Sequence, residues 1–321
     1  MKKRLYSAGL MAVVLVVFFV LKIFVSNYFF DAFFGILACY AGYEMSKLLS
    51  KTGLYNYLGM AMFFPAFLMA ANLVGIYAAR TTANVMWILY TILIDMGLIL
   101  LGGLASFLFG FFRKKKNILH EMDVRGVNNM SIVKFSLKKA LHTMIAFVYP
   151  AFIFLLFIFI NHFNDLPLAK LAGVGSDVSL FILVTAFTIP IFTDSFAMLT
   201  GSVIGGKKLC PKISPGKTIS GSVGGVLWCV LFSACVYLIF GSINSFAPFM
   251  EVFPIWAYLI ITLVGSVVAQ CGDLFESILK RRANVKDSGK FLPGHGGLLD
   301  RIDSHIFIAA FVLIAFLIFA I

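Results

Sequence analysis

Charged residues are scarce in this chain: Asp, Glu, Lys and Arg make up 12% of its 321 residues. Soluble globular domains usually carry about 25% charged residues, and hydrophobic residues here reach 61%. Cysteine is also rare, and the five cysteines show no CxxC spacing, which argues against a zinc site or a disulfide framework. The composition therefore excludes an ordinary soluble domain and predicts a polytopic membrane protein.

Long apolar runs fill most of the sequence. A transmembrane helix needs about 20 mostly apolar residues, and nine runs approach or exceed this length. They lie at 8–25, 29–49, 54–79, 84–112, 138–160, 177–200, 219–240, 254–279 and 304–321. No convincing cleavage site follows the first run, so we expect a retained anchor rather than a signal peptide. The predicted fold is all-α, with about nine transmembrane helices and a cytoplasmic N-terminus.

Positive charge sets the expected orientation. The chain has 26 Lys and Arg against 14 Asp and Glu, for a formal net charge of +12. With the N-terminus in the cytoplasm, nearly all of the Lys and Arg fall in inner loops, as the positive-inside rule requires. This topology, together with attraction to anionic lipid, accounts for the charge. No aromatic-rich basic module is present, so nucleic acid is not an expected partner.

The runs divide the chain into three regions. Residues 1–112 hold four predicted helices with few polar residues and are interpreted as a membrane scaffold. Residues 113–137 begin with RKKK and are predicted to form a cytoplasmic interfacial loop held by anionic headgroups. Residues 138–321 hold five predicted helices with Gly-rich and Pro-rich inner loops, and we expect this region to be the catalytic membrane domain.

A charged stretch interrupts the apolar pattern at 277–303, which reads SILKRRANVKDSGKFLPGHGGLLDRID. It places six cations, a Gly-His-Gly turn and three aspartates between two apolar runs. Cations bind phosphates, and carboxylates hold the divalent ions that accompany phosphates. The stretch therefore predicts phosphoryl chemistry on a substrate near the membrane surface.

One acidic pair lies just before this stretch and a second lies at its end. Asp273 and Glu276 share one helix face, with Lys280 a turn further on, and Asp300 and Asp303 share a face at the start of the last helix. One interpretation is a salt bridge at a membrane boundary for the first pair and helix capping for the second. The other is a Mg²⁺ site formed by both pairs. Spacing alone leaves both open.

The run SPGKT at 214–218 suggests a phosphate loop, but Pro211 stands where a Walker A motif requires glycine. The P-loop interpretation is therefore rejected. Ser214, Lys217 and Thr218 could still bind a phosphate beside the N-terminus of the following helix, where the helix dipole favours anions.

Other intramembrane polar and small residues have simpler interpretations. Glu44 is expected to pair with Lys47 three residues later, and Asp95 has no assigned role. Asp194 is either a further site carboxylate or a helix-to-helix hydrogen-bonding group. The GxxxG spacing that starts at Gly221 is interpreted as close helix packing rather than substrate contact.

Taken together, these motifs resemble the signature of phosphatidate cytidylyltransferases, the CDP-diacylglycerol synthases. The resemblance covers about residues 190–305. It rests on Ser277, Leu279, Lys280, Arg281, Lys286, Asp287, Gly289, Leu292, Pro293, Gly294, His295, Gly296, Gly297, Asp300, Arg301 and Asp303, with an upstream block of Asp194, Ser195, Ala197, Ser214, Pro215, Lys217, Thr218, Gly221, Gly224 and Gly225. Gly216 departs from the pattern, because many members carry a second lysine there.

The resemblance implies transfer of CMP from CTP to phosphatidic acid, giving CDP-diacylglycerol and pyrophosphate. It implies Mg²⁺ as the cofactor, with a second metal ion as an open alternative, and a homodimer among membrane lipids whose active site faces the cytoplasm, in the inner membrane if the source is bacterial. Asp273, Asp300 and Lys280 would be catalytic, and Asp273, Asp300, Asp303 and Glu276 would hold metal. The expected substrate-binding residues are Ser214, Lys217, Thr218, Arg281, Lys286, Asp287, His295 and Arg301.

Three other functions stay open from the sequence. A polyprenol kinase or an archaeal-type lipid cytidylyltransferase would keep a CTP-dependent membrane site and change the acceptor or the reaction. A transporter is the third, although transporters place polar groups near the bilayer midplane, whereas here the charge clusters at one end of the predicted helices.

Overall fold

The computed structural model describes residues 2–127, 129–168, 177–291 and 296–320. Over these residues the chain is mostly helical. The helices are α1 (Lys2–Phe24), α2 (Tyr28–Lys51), α3 (Leu58–Thr82), α4 (Met86–Phe112), α5 (Lys115–Val124), α6 (Ile132–Ala146), α7 (Ile153–Leu155), α8 (Phe157–Asn161), α9 (Val178–Ile204), α10 (Ile219–Gly241), α11 (Ala247–Val252), α12 (Ile255–Arg282) and α13 (Leu299–Ala320). The strands are β1 (Lys208–Cys210) and β2 (Ser214–Thr218).

Seven helical segments in the described part of the chain are long and apolar enough to cross a membrane. They are Leu58–Thr82, Met86–Phe112, Ile132–Asn161, Val178–Ile204, Ile219–Gly241, Ile255–Arg282 and Leu299–Ala320. The other two predicted runs are also helical, as α1 and α2, and α1 contains a shorter apolar run at Val13–Phe24. The all-α membrane fold is confirmed, whereas the count of nine spans and the orientation of the N-terminus stay predictions.

Helix starts follow local capping. Helix α6 begins at Ile132 rather than at 138, because the Ser131 side chain accepts a hydrogen bond from Lys134 N at 3.3 Å. Helix α10 begins where expected, because the Thr218 hydroxyl accepts from Gly221 N at 3.0 Å. Helix α13 begins at Leu299, five residues before the apolar run at 304–321, so Asp300 and Asp303 lie at its start, as the sequence predicts.

The predicted interfacial loop contains helix α5, whose Glu121 gathers cations. Glu121 contacts Lys139 Nζ at 2.7 Å, Arg113 Nη1 at 2.9 Å and Arg125 Nη2 at 3.0 Å. Burial alone would raise the pKa of the Glu121 carboxyl, but the hydrogen bond from Lys139 and the three positive charges lower it below its usual value. One ionised carboxylate thus ties α5 to α4 and α6.

The span Ile132–Asn161 is interrupted near its middle. Pro150 has no N–H to donate, Tyr149 has non-helical backbone angles, and a π-helical turn occupies Phe147–Phe152. Past this turn, α8 presents Phe157, whose ring lies 4.8 Å from that of Phe34 in α2 and 5.4 Å from that of Phe187 in α9. The scaffold and catalytic regions therefore share one aromatic core.

Helices α9 and α10 touch through glycine. A Cβ added at Gly221 would lie 2.6 Å from Ala197 O, and one added at Gly225 would lie 2.7 Å from Thr193 O. Neither position has room for a side chain, which confirms that the GxxxG spacing serves close packing. Beyond this contact, β1 pairs antiparallel with β2, and Lys208 stands opposite Thr218.

The helices have two distinct polar ends. At the Asp300 end, α9 and α12 finish and α10 and α13 begin, beside the β hairpin. At the Lys22 end, α1, α3 and α8 finish and α2 and α9 begin.

The Lys22 end holds a hydrogen-bonded cluster of buried charges. Lys22 Nζ donates to Asn27 Oδ1 and to Ser179 Oγ, both at 2.9 Å. His162, which follows α8, donates from Nε2 to Asp31 Oδ2 at 2.8 Å and from Nδ1 to Asp165 Oδ2 at 2.7 Å. The cluster joins α1, α2 and α9 where little water reaches them.

Candidate active site

A cavity of about 710 Å³ lies at the Asp300 end, between α9, the β hairpin, α10, α12 and α13. Most of the residues predicted from sequence share its wall. They are Asp194, Lys217, Thr218, Asp273, Lys280, Asp287, Asp300, Arg301 and Asp303. Residues far apart in the chain thus converge on one polar chamber at the end of the apolar helices.

The remaining predicted residues lie elsewhere. Glu276 is fully buried behind the wall, and Ser214 is half-buried in β2. Arg281 does not line the cavity. Its Nε donates to Ile213 O at 2.9 Å, and this bond ties the hairpin to α12. Lys286 is exposed on the loop that follows α12. His295 lies outside the described residues.

Lys280 and Asp300 form a tightly bonded pair. Lys280 Nζ donates to Asp300 Oδ1 at 2.7 Å and also pairs with Glu276, one turn earlier on α12. The other oxygen, Asp300 Oδ2, accepts from Ser288 N at 2.9 Å, Ser288 Oγ at 3.0 Å and Gly297 N at 2.7 Å. Asp300 thus binds the lysine and also Ser288 and Gly297, which lie between α12 and α13.

Asp273 faces the hairpin. Its Oδ2 lies 2.5 Å from Lys217 Nζ, and its Oδ1 accepts from Ser277 Oγ at 3.3 Å. Lys217 occupies this position because the following residue, Thr218, ends β2 and caps α10. The run that fails as a P-loop therefore still delivers its lysine to the cavity.

A second group of carboxylates lines the cavity with fewer partners. Asp303 is 6% exposed and accepts from Ser304 N at 2.7 Å. Asp194 projects from α9 and is exposed on the cavity wall. Both are close enough to Asp273 for the three negative charges to repel one another. Such a cluster favours cations, whether lysines or metal ions.

The donor set resembles a site for a metal that arrives with phosphates. Among the residues that the structure describes, no three of His, Cys, Asp or Glu converge closely enough to form a complete metal cage. Mg²⁺ usually binds through one or two carboxylates plus substrate phosphates and water. Asp300 accepts four hydrogen bonds and Glu276 is buried behind the wall, whereas Asp273 has one lysine contact and one hydrogen bond at 3.3 Å. Asp273, Asp303 and Asp194 therefore fit that pattern better. The metal ligands stay a prediction.

Sequence reasoning missed several residues around the cavity. The expected pairing of Glu44 with Lys47 is wrong: Lys47 contacts Tyr43, and Glu44 accepts from Leu299 N at 2.8 Å. Ser288 is buried between Glu44 and Asp300. The depth of Glu44 in an apolar helix was the only available signal.

Two polar residues of α10 and α12 were also missed. Gln270 Nε2 donates to Ser222 O at 3.2 Å, and the two side chains bond to each other on the cavity wall. They join α10 to α12 at the wall of the chamber. Neither residue stands out in sequence, because isolated Ser and Gln in a membrane helix are read as packing groups.

Comparison with known proteins gives consistent names. The model that describes the cytidylyltransferase family matches residues 6–319. A protein of Staphylococcus saprophyticus named phosphatidate cytidylyltransferase is 44% identical over 129 residues, which are 40% of this chain and 46% of that protein. Proteins of the same name from Staphylococcus haemolyticus and Staphylococcus aureus are 43% and 45% identical, with the same coverage. The match spans about half the length of these relatives.

Proposed function

Because this chain belongs to the cytidylyltransferase family, we propose that it transfers CMP from CTP to phosphatidic acid and releases pyrophosphate. The observation that carries the proposal is the cavity, where predicted cations and carboxylates from four segments share one wall at the end of the membrane helices. A water-soluble nucleotide and a lipid headgroup can meet at such a place. The named relatives support the choice of substrates.

The reaction joins two polyanions. An oxygen of the phosphatidate headgroup attacks the α-phosphorus of CTP, a new P–O bond forms, and the bond from that phosphorus to the β-phosphate oxygen breaks. A phosphate monoester is already largely ionised near neutral pH, so the nucleophile needs no general base. The main barrier that the protein must lower is the repulsion between the phosphates.

Positively charged side chains of the cavity reduce that repulsion. Lys217, Lys280, Lys208 and Arg301 line the cavity, and fixed positive groups in a site with little water stabilise the charge that develops on the departing pyrophosphate. Lys280 is held by Asp300 and Glu276, so its ammonium group is oriented before substrate arrives. Arg301 follows Asp300 in the first turn of α13.

We propose Mg²⁺ as the cofactor, held by Asp273 and Asp303 with Asp194 beside them. When bound, Mg²⁺ would neutralise phosphate oxygens and polarise the phosphorus that is attacked. Asp300 then serves to hold Lys280 and the loop. Membrane lipids surround the helices, a second copy is the proposed partner, and the Asp300 end faces the cytoplasm, where CTP is made.

One assay tests the activity. Purified protein is incubated with CTP labelled in the cytosine ring, Mg²⁺ and vesicles that contain phosphatidic acid. We expect the label in the lipid fraction as CDP-diacylglycerol, and none there when diacylglycerol replaces phosphatidic acid. Label that appears as free CDP would instead indicate a lipid kinase, and absence of turnover with phosphatidic acid would refute the proposal.

A second assay tests the orientation. A cysteine introduced at Lys290, which is exposed, in a protein without the five native cysteines should react with a membrane-impermeant maleimide only in inside-out vesicles. Reaction in intact cells would place the Asp300 end outside.

A further inference from the structure

A carboxylate from the scaffold region reaches the loop that carries the site. Glu44 lies on α2 and is 1% exposed. Its Oε2 accepts from Leu299 N at 2.8 Å, although the two residues are 255 positions apart in the chain. Leu299 is the first residue of α13. The side chain of one helix therefore caps the N-terminus of another, where backbone N–H groups lack partners within their own helix.

The same oxygen binds the loop before α13. Ser288 Oγ lies 3.2 Å from Glu44 Oε2 and 3.0 Å from Asp300 Oδ2, so one hydroxyl stands between the two carboxylates. Ser288 N also donates to Asp300. A displacement of Glu44 would therefore be transmitted to Asp300 through a single residue.

Two glycines of the loop leave room for this carboxylate. A Cβ added at Gly289 would lie 2.7 Å from Glu44 Cδ, and a Cβ added at Gly297 would lie 2.5 Å from Glu44 Oε2. The backbone of the loop thus approaches Glu44 more closely than any residue with a side chain would allow. Glycine at these positions is explained by the carboxylate from α2.

We propose that Glu44 is a positioning residue for the active site: it caps α13 and holds Ser288 of the preceding loop so that Asp300, Arg301 and Asp303 face the cavity. All three residues lie in the first turns of α13, so their directions depend on where that helix begins. Glu44 touches no part of the cavity wall itself and acts through Leu299 and Ser288. The role in catalysis rests on the proposed function, whereas the role in ordering the loop does not.

Limited trypsin digestion of the detergent-solubilised full-length protein tests the ordering without substrate. Lys286 and Lys290 are exposed in the loop, and cleavage there is followed by mass spectrometry. In Glu44→Ala we expect cleavage at these lysines at least about tenfold faster than in the unmodified protein, because a lost N-cap raises the population of the opened turn. Glu44→Gln keeps an acceptor oxygen at the same distance and should be cleaved within about threefold of the unmodified rate.

Asp95→Ala is the matched control. Asp95 is also a fully buried carboxylate of the scaffold region, but it lies on α4, which packs on α3 and α6. Its loss should leave loop cleavage unchanged. If Glu44→Ala does not insert into the membrane, Glu44→Asp replaces it, because the shorter side chain keeps the charge and withdraws the oxygen from Leu299 N.

The outcomes separate the two proposals. Equal cleavage of Glu44→Ala and the unmodified protein, equal acceleration in Asp95→Ala, or failure of Glu44→Gln to restore protection would each overturn the positioning role, whatever the activity. Where the unmodified protein turns over CTP, kcat should fall at least about tenfold in Glu44→Ala and recover in Glu44→Gln to within about threefold. Absence of turnover in the unmodified protein would refute the proposed function and leave the cleavage result standing.

Discussion

The Asp300 end and the Lys22 end both bury charge at the ends of membrane helices, but they do so differently. At the Lys22 end, Lys22, Asp31, His162 and Asp165 each have an oppositely charged or hydrogen-bonding partner within 3.0 Å. At the Asp300 end, acidic and basic side chains surround a cavity of about 710 Å³. The first arrangement is closed, whereas the second leaves space for a ligand.

Buried polar atoms without partners sharpen this contrast. Among the described residues they include Glu44 Oε1, Glu276 Oε1 and Arg301 Nε at the Asp300 end and Asn161 Oδ1 at the Lys22 end, so the Asp300 end holds more of them. A buried polar atom without a hydrogen bond costs about 1–3 kcal/mol, so such atoms are usually removed unless a ligand or a function retains them. The same residue types therefore stabilise the fold at the Lys22 end, whereas at the Asp300 end they line a cavity where a substrate can bind.

The strongest test of this contrast is Asp273→Asn, alone and with Asp303→Asn. We expect kcat to fall about a thousandfold, since the substitution removes ligand charge at the reacting phosphates, while thermal stability changes little. The double variant should be scarcely slower than either single one, because residues that act as a unit are not additive. Retention of more than about a tenth of the turnover by Asp273→Asn at saturating Mg²⁺ would contradict the assignment.

At the Lys22 end the opposite behaviour is expected. His162→Ala leaves the buried Asp31 and the half-buried Asp165 without their shared donor, and breaking a buried ion pair costs about 3 kcal/mol. The melting temperature of the purified protein should fall, while turnover per folded molecule stays the same. His142→Ala is the control, because within the described part of the chain the His142 ring has a single hydrogen-bond partner, the carbonyl of Tyr55. A loss of turnover without loss of stability would show that the two ends are not separate in function.

Lys217→Ala should produce an intermediate effect at the Asp300 end. Loss of one charged phosphate contact costs about 1.5–3 kcal/mol, or about 10- to 150-fold in kcat/KM. Lys212→Ala, in the same hairpin but exposed and away from the cavity wall, should leave kcat/KM unchanged. If the two variants have the same kcat/KM, the hairpin lysines lie at the membrane surface without binding substrate.

Alkaline pH should weaken the Lys22 end through His162. Burial opposes protonation of His162, but the hydrogen bonds and charges of Asp165 and Asp31 raise its pKa to about 9. A pKa above the unfolded value of 6.5 contributes stability that is complete below about pH 6.5 and is lost as the pH rises through 9. Between pH 7 and pH 9 the free energy of unfolding should fall by about 2 kcal/mol through this group. The melting temperature of the unmodified protein should fall across this pH range, and this fall should be absent in His162→Gln.

Much of this architecture could be predicted from the sequence, because apolar run length and positive charge act locally. Each of the nine runs is helical, and the predicted residues Asp273, Lys280, Asp300 and Arg301 lie on one cavity wall. The β hairpin was not predicted, since SPGKT has weak strand propensity and its pairing depends on the residues opposite.

The failures concern contacts between distant segments. The expected partner of Glu44 was three residues away, whereas the observed partner lies 255 positions later. Helix periodicity identifies neighbours on one helix, but it contains no information about which loop packs against that helix. The buried position of Ser288 was missed for the same reason, because its neighbours in sequence are charged.

The glycine contact between α9 and α10 has a consequence for how this protein can change over evolutionary time. The separation of the two helices is set by hydrogen atoms at Gly221 and Gly225 and by the carbonyls they face. Side chains on the lipid-facing sides, such as Leu227 and Leu231, do not enter that contact. They can therefore vary with the thickness and composition of the membrane, whereas a side chain at either glycine would push the helices apart and change the width of the chamber between them.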